Sequence, residues 1–136
     1  MKVTVSRKAH FNAAHRLHRK EWDDARNEEV FGKCSNPHYH GHNYELVVAV
    51  TGEICEETGF VIDLKDLKEL IYNKIEIPFD HKNLNLEVPQ FKDLNPTAEN
   101  ISVVIWRILR HELPSHLNLE VTLYETPRNF VTYRGE

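Results

Sequence analysis

Only two cysteines, Cys34 and Cys55, occur among the 136 residues. Two are too few for a disulfide scaffold, and a chain of this length builds a core without one, so a reducing cytoplasm is the expected setting. No apolar run reaches 18 residues, which excludes a membrane-spanning helix. The opening Met1-Lys2-Val3-Thr4-Val5-Ser6-Arg7-Lys8 lacks the apolar core of a secretory signal. A basic surplus is also missing: 17 Lys and Arg against 21 Asp and Glu leave a net charge of −4. That balance argues against DNA or RNA backbone as the partner. With no internal repeat, low-complexity tract or Gly/Ser linker, residues 1–136 are expected to form one domain.

Histidine, by contrast, is plentiful: nine residues, three of them within Pro37-His38-Tyr39-His40-Gly41-His42. Around this cluster the hydrophobic periods are readable. Val3, Val5, Ala9, Phe11, Ala13, His15 and Leu17 share one parity, the two-residue period of a half-buried strand that could bend near Arg7. In a second strand Tyr44, Leu46, Val48 and Val50 share a face, and Thr51-Gly52-Glu53 ends it. Extending that parity backwards puts His42 and His40 on the apolar side, as the first strand does for His15. From Asp63 to Glu76 the period changes: Leu64, Leu67, Leu70, Ile71 and Ile75 predict a helix capped by Asp63 and broken at Ile77-Pro78. Asn95-Pro96 announces a second helix, with Asn95 as cap and Pro96 in its first turn; Ile101, Val104, Ile105, Ile108 and Leu109 form its stripe and Pro114 stops it. Strands Leu119–Glu125 and Asn129–Arg134 finish the chain. The charge run Lys20–Glu29 reads as a solvated loop. The order β-β-α-α-β-β predicts an α+β fold, four strands in a mainly antiparallel sheet with the two helices on one face.

Three inward imidazoles with one open position match the donor set of a catalytic zinc site, although imidazole alone also suits iron, nickel or copper. Cys34, beside Lys33 and six residues before His40, is open to three readings: thiolate base or nucleophile, fourth metal ligand, or inert buried thiol. Cys55 sits among Glu53, Glu56 and Glu57, which should raise its pKa, and no role is expected of it. Asp80-His81 reads equally as a proton relay or a capped turn. Glu125 ends an apolar stripe, a costly place for a carboxylate unless something pairs with it. His10, His18, His38, His111 and His116 are read as bystanders, with His38 near enough to His40 to compete for metal.

Six segments then carry a resemblance. Phe11-Asn12-Ala13-Ala14-His15-Arg16-Leu17, Gly32-Lys33-Cys34-Ser35-Asn36-Pro37, His40-Gly41-His42-Asn43-Tyr44, Asp80-His81-Lys82-Asn83-Leu84, Pro96-Thr97-Ala98-Glu99-Asn100 and Tyr124-Glu125-Thr126 stand in register. Together they closely resemble the 6-pyruvoyltetrahydropterin synthase family. The resemblance implies the tunnelling fold, with three chains closing a barrel and two trimers stacking as a homohexamer. It implies Zn2+ on His15, His40 and His42, with Mg2+ as an optional companion of a triphosphate. It further implies catalytic roles for Cys34, Asp80 and His81, a pterin anchor at Glu125, and Thr97 and Glu99 lining the pterin pocket.

The family has two activities on one small-molecule substrate, 7,8-dihydroneopterin triphosphate. One eliminates triphosphate to give 6-pyruvoyl-tetrahydropterin; the other, 6-carboxytetrahydropterin synthase of the queuosine pathway, also releases acetaldehyde. Five residues separate Cys34 from His40, and the Gly32–Pro37 stretch looks like the pyruvoyl type. His38 and Tyr39 depart from the small or amide residues expected before the first histidine of the pair. A non-catalytic zinc-stabilised binding domain would need Cys34 as fourth ligand, and a zinc hydrolase would need an H-E-x-x-H or similar pattern, which is absent. The triphosphate calls for a basic mouth, expected from Arg16, Arg19, Lys20 and Lys33.

Overall fold

Long alternating segments make the sheet. In the computed structural model, which describes residues 1–136, strand β1 (Lys2–His15) pairs antiparallel with β2 (His40–Glu53). Their register is continuous from Lys2↔Glu53 to His15↔His40, with no break at Arg7. Strand β4 (Asn118–Tyr124) adds to β2, and β5 (Phe130–Tyr133) to β4, both antiparallel. The expected four strands are joined by a fifth, β3 (Lys82–Asn83), which pairs parallel with Ala13 and Ala14 at the edge of β1, so the order is β3-β1-β2-β4-β5. Two residues carry no readable period, which is why the sequence pattern missed it. Phe11, Ala13, Tyr44, Leu46, Val48, Val50, Val121 and Leu123 are buried on one face of the sheet, and helix residues cover them.

Helix α2 (Leu64–Ile71) starts where expected, with Asp63 accepting from Lys65 N–H at 2.9 Å. It does not end at Ile77. A π-helical segment, Tyr72–Glu76, leads into a last turn, α3 (Ile77–Phe79), with Pro78 inside it. Leu67, Ile71, Ile75 and Phe79 are all buried. A four-residue repeat drifts about 40° per step on a 3.6-residue helix. The wide π turn, in which Ile77 N–H bonds Tyr72 O, offsets that drift and keeps all four side chains on the sheet.

The second helix begins two residues later than predicted. Helix α5 (Ala98–Glu112) is capped by Thr97, whose side chain accepts from Asn100 N–H at 3.1 Å. Asn95 instead accepts from His18 N–H through its side chain. The charge run is solvated as expected but is not a loop: helix α1 (Asp24–Phe31) occupies it, capped by Asp23, with only Asn27 buried. Good helix formers behind an Asp cap suffice, and Arg26 lies 4.1 Å over the Trp22 ring. A short helix, α4 (Leu84–Glu87), also lies outside the two-helix expectation.

Candidate metal centre and surrounding site

At one end of the β1–β2 pair, His15 stands opposite His40, and His42 lies opposite Ala13. Period two aims all three rings to the covered face. One donor nitrogen from each ring lies within 4.8 Å of the others. His15 is fully buried, and its Nδ1 lies 2.7 Å from the Pro96 carbonyl. A carbonyl only accepts, so Nδ1 carries the proton and Nε2 offers a lone pair. The Tyr44 hydroxyl is a second, longer neighbour of Nδ1 at 3.3 Å. Burial, reinforced by His40 and His42 and opposed by the Pro96 bond, lowers the His15 pKa to about 4. Burial and His42 likewise lower that of His40.

Three ring nitrogens here are buried without partners: His15 Nε2, His40 Nδ1 and His42 Nε2. Each unsatisfied buried polar atom costs about 1–3 kcal/mol. Three in one place is a heavy cost against a typical total stability of about 5–15 kcal/mol. A divalent cation on three neutral imidazoles removes it, so the residues fit a metal. Exposed His38 and half-buried Cys34 are outside this group of donors.

Glu125 lies just past β4 rather than within it, and its Oε1 is 3.9 Å from His42 Nε2. Its predicted position at the end of the apolar stripe therefore delivers it to the histidines. Tyr44 was legible only as a core residue, yet parity places it one step inward from His42. Burial first, then the negative groups Glu125 and Cys34, push its pKa above the usual phenol range. Cys34 sits in a 3-10 turn, Gly32–Ser35, entered through Gly32 at φ +58, and its carbonyl accepts Leu17 N–H at 2.8 Å. The cysteine is thereby tied to the end of β1.

The Asp80-His81 pair is held elsewhere, on the edge of β1. Asn12 N–H donates to Asp80 Oδ1 at 2.8 Å, and His81 N–H donates to Asn12 O at 2.6 Å. His81 Nδ1 is 2.9 Å from Asp80 Oδ2, so the two side chains do pair. The Asn12 bond, then His81, hold the Asp80 carboxyl below its usual range. His81 adopts φ +59, unusual for a residue with a side chain, and is 82% exposed. Nothing in sequence spacing pointed to the Asn12 clamp or the Pro96 carbonyl, because both act through backbone atoms.

Glu99 is exposed in the first turn of α5, and Thr97 is engaged as its cap. Cys55 corrects one expectation. Its pKa is lowered, because Thr58 and the Glu57 backbone hydrogen-bond to the sulfur while the surrounding carboxylates are solvated.

A mainly antiparallel sheet backed by helices, with a three-imidazole site at the end of its two longest strands, defines an α+β protein built around a metal-competent centre. The family model described as 6-pyruvoyl tetrahydropterin synthase matches residues 4–136. The "6-pyruvoyl tetrahydrobiopterin synthase" of Pongo abelii is 50% identical over 132 residues, covering 97% of this chain and 91% of that protein. The Homo sapiens protein of the same name is 48% identical, with 97% and 91% covered. The solved structure of Caenorhabditis elegans 6-pyruvoyl tetrahydropterin synthase superposes with a TM-score of 0.94 at 40% identity, covering 100% of this chain and 97% of that one. The chain belongs to the 6-pyruvoyl tetrahydropterin synthase family.

Proposed function

We propose that this protein is a lyase, a single domain over residues 1–136, that eliminates triphosphate from 7,8-dihydroneopterin triphosphate to give 6-pyruvoyl-tetrahydropterin. The observation that carries the reading is the convergence of three unpartnered imidazole nitrogens beside Glu125, in a chain of this family. His15, His40 and His42 would hold zinc, which would polarise the side-chain oxygens of the substrate and acidify the adjoining C–H. Cys34 as thiolate removes that proton. Asp80 orients His81, and the pair moves protons on the far side. Glu125 accepts hydrogen bonds from the 2-aminopyrimidinone edge of the pterin and sets the reacting carbon within reach. Thr97 and Glu99 border the pterin pocket, Thr97 through the backbone that follows Pro96. Mg2+ accompanies the triphosphate where one is needed.

No helix is long and apolar enough to cross a membrane. The proposed setting is the reducing cytoplasm, with no nucleic-acid partner. The proposed assembly is a homohexamer of two stacked trimers joined through strand edges. The exposed Asp80-His81 pair, clamped on such an edge, then meets the site of a neighbouring chain. The test is incubation of the zinc-loaded protein with 7,8-dihydroneopterin triphosphate, followed by mass analysis of the pterin and an acetaldehyde assay. The pyruvoyl product without acetaldehyde is expected. Acetaldehyde in step with triphosphate release rejects this reading in favour of 6-carboxytetrahydropterin synthase. No conversion at all leaves the non-catalytic zinc-stabilised domain.

A further inference from the structure

A cleft of about 510 Å3, within the usual range of small-ligand pockets, is lined by residues that flank the three histidines and Pro96 along the chain. Two loops form it, residues 18–21 after β1 and residues 91–95 before α5. They are knitted together by His18 N–H on Asn95 Oδ1 at 3.2 Å and by Lys20 Nζ on the Lys92 carbonyl at 3.3 Å. Tyr39, at φ +67, closes a third side. The walls are chain neighbours of the metal-competent group. Tyr39 precedes His40, Asn95 precedes the Pro96 whose carbonyl holds His15, and His18 follows His15 by three residues.

The lining charge runs against the chain's. Arg19, Lys20 and Lys92 supply three fixed cations, whereas Glu21 and Asp93 supply two carboxylates. Glu21 is already engaged by Arg19 Nε at 3.4 Å. In a protein of net charge −4, a surplus of fixed cations in a cleft marks the place where an anion is favoured. The buried Nδ1 of His18, on the same wall, has no partner. Of the four residues expected to form a basic mouth, Arg19 and Lys20 line this cleft. Arg16 donates its Nε to the Ser35 carbonyl at 2.7 Å, and neither it nor Lys33 lines the cleft; Lys92, in the loop that leads to α5, does.

We propose that this cleft binds the polyphosphate tail of the substrate, with Lys20, Lys92 and Arg19 as its cations. The proposal rests on the triphosphate substrate read above and extends it to residues with no part in the chemistry. Lysines act as point charges and the guanidinium as a planar fork, two complementary ways to hold phosphate oxygens.

The probe is inorganic tripolyphosphate, titrated calorimetrically into zinc-loaded and into metal-stripped protein. Binding in both forms is expected, weakening as salt screens the exposed cations. The double variant Lys20→Ala/Lys92→Ala should bind about tenfold or more weakly, the scale of lost charge-assisted contacts. Lys20→Arg should keep the affinity, which separates charge from folding, and Lys65→Ala on α2 serves as a remote control. With the full substrate, the double variant should raise KM and spare kcat. Equal binding by wild type and double variant overturns the proposal, as does binding that vanishes with the metal. If tripolyphosphate binds as expected but no pterin is turned over, the cleft stands and the lyase reading fails. Turnover with a KM blind to Lys20 and Lys92 does the reverse.

Discussion

At Cys34 the distinction between base and ligand becomes measurable. The thiol lies outside the group of three imidazoles that can share an ion, so its removal should not cost metal. Cys34→Ala is therefore expected to keep its zinc, measured by atomic absorption, and to lose turnover by more than about a hundredfold. A fall in zinc content would make the cysteine a ligand and sink the base assignment. Asp80 offers a second test, through pH. Its depressed pKa means that the carboxylate contributes stability above the unfolded aspartate value of about 3.9, and that this contribution is lost as pH falls below it. Asp80→Ala should be less stable than wild type near neutrality, because Asn12 N–H loses its acceptor, and the gap in urea unfolding should close below about pH 4. A gap independent of pH would mean that the loss is packing alone. These two residues also show what the sequence could reveal of the site. Parity along β1 and β2 located the three histidines, since a strand repeats every two residues. Pro96 O, which orients His15, and the Asn12 backbone, which clamps Asp80-His81, carry no side-chain signature and emerge only from tertiary contact.

Among the elements, α5 links packing to the metal-competent histidines. Its predicted cap was Asn95, but Asn95 faces His18 and the helix starts at Thr97. Two cap-forming residues straddle Pro96, and local sequence could not choose between them because a tertiary bond from His18 decides the matter. Likewise the amphipathic stripe of α2 was legible while its end was not. Pro78 signals a break, yet the π turn before it lets the helix run on to bury Phe79. The cap shift has a functional consequence. Thr97 anchors the turn whose preceding carbonyl, Pro96 O, fixes the His15 tautomer. Thr97→Ala should cost about 1 kcal/mol in unfolding stability through the lost cap. It should also weaken zinc about tenfold or more in chelator competition, the usual effect of disturbing a partner of a ligating histidine. Lowered stability with unchanged zinc affinity would show that the cap acts on the helix alone.

Across the whole molecule the sheet ends in two open edges. On one side is β5; on the other, β3 covers only Ala13 and Ala14, and the Asp80-His81 clamp extends that cover to Asn12. The rest of the outer edge of β1 is left without a strand partner within the chain. Unpaired edges of this length invite another chain, and neither β1 nor β5 carries a proline to prevent pairing. This is the physical ground for the proposed trimers. It also bears on an otherwise awkward feature of the site. Within one chain the three histidines share the covered side of the sheet and Cys34 acts electrostatically on Tyr44 beside them, while the bonds and charges that hold Asp80-His81 come from Asn12 and His10 on β1. The proposed relay and the proposed trimers are linked: with the pair on that edge, a neighbouring chain would bring its own substrate to it. Sedimentation at micromolar concentration should then find assemblies of three or six chains, well above the 16.0 kDa of one. A monomer would contradict the assembly outright. The sharper readout is complementation. Cys34→Ala and His81→Ala should each be nearly inactive alone, whereas co-expressed chains should regain part of the activity, since mixed assemblies contain sites with an intact cysteine from one chain and an intact relay from the next. An oligomer that regains nothing would place both halves of the chemistry in the same chain and leave the strand-edge contact purely structural.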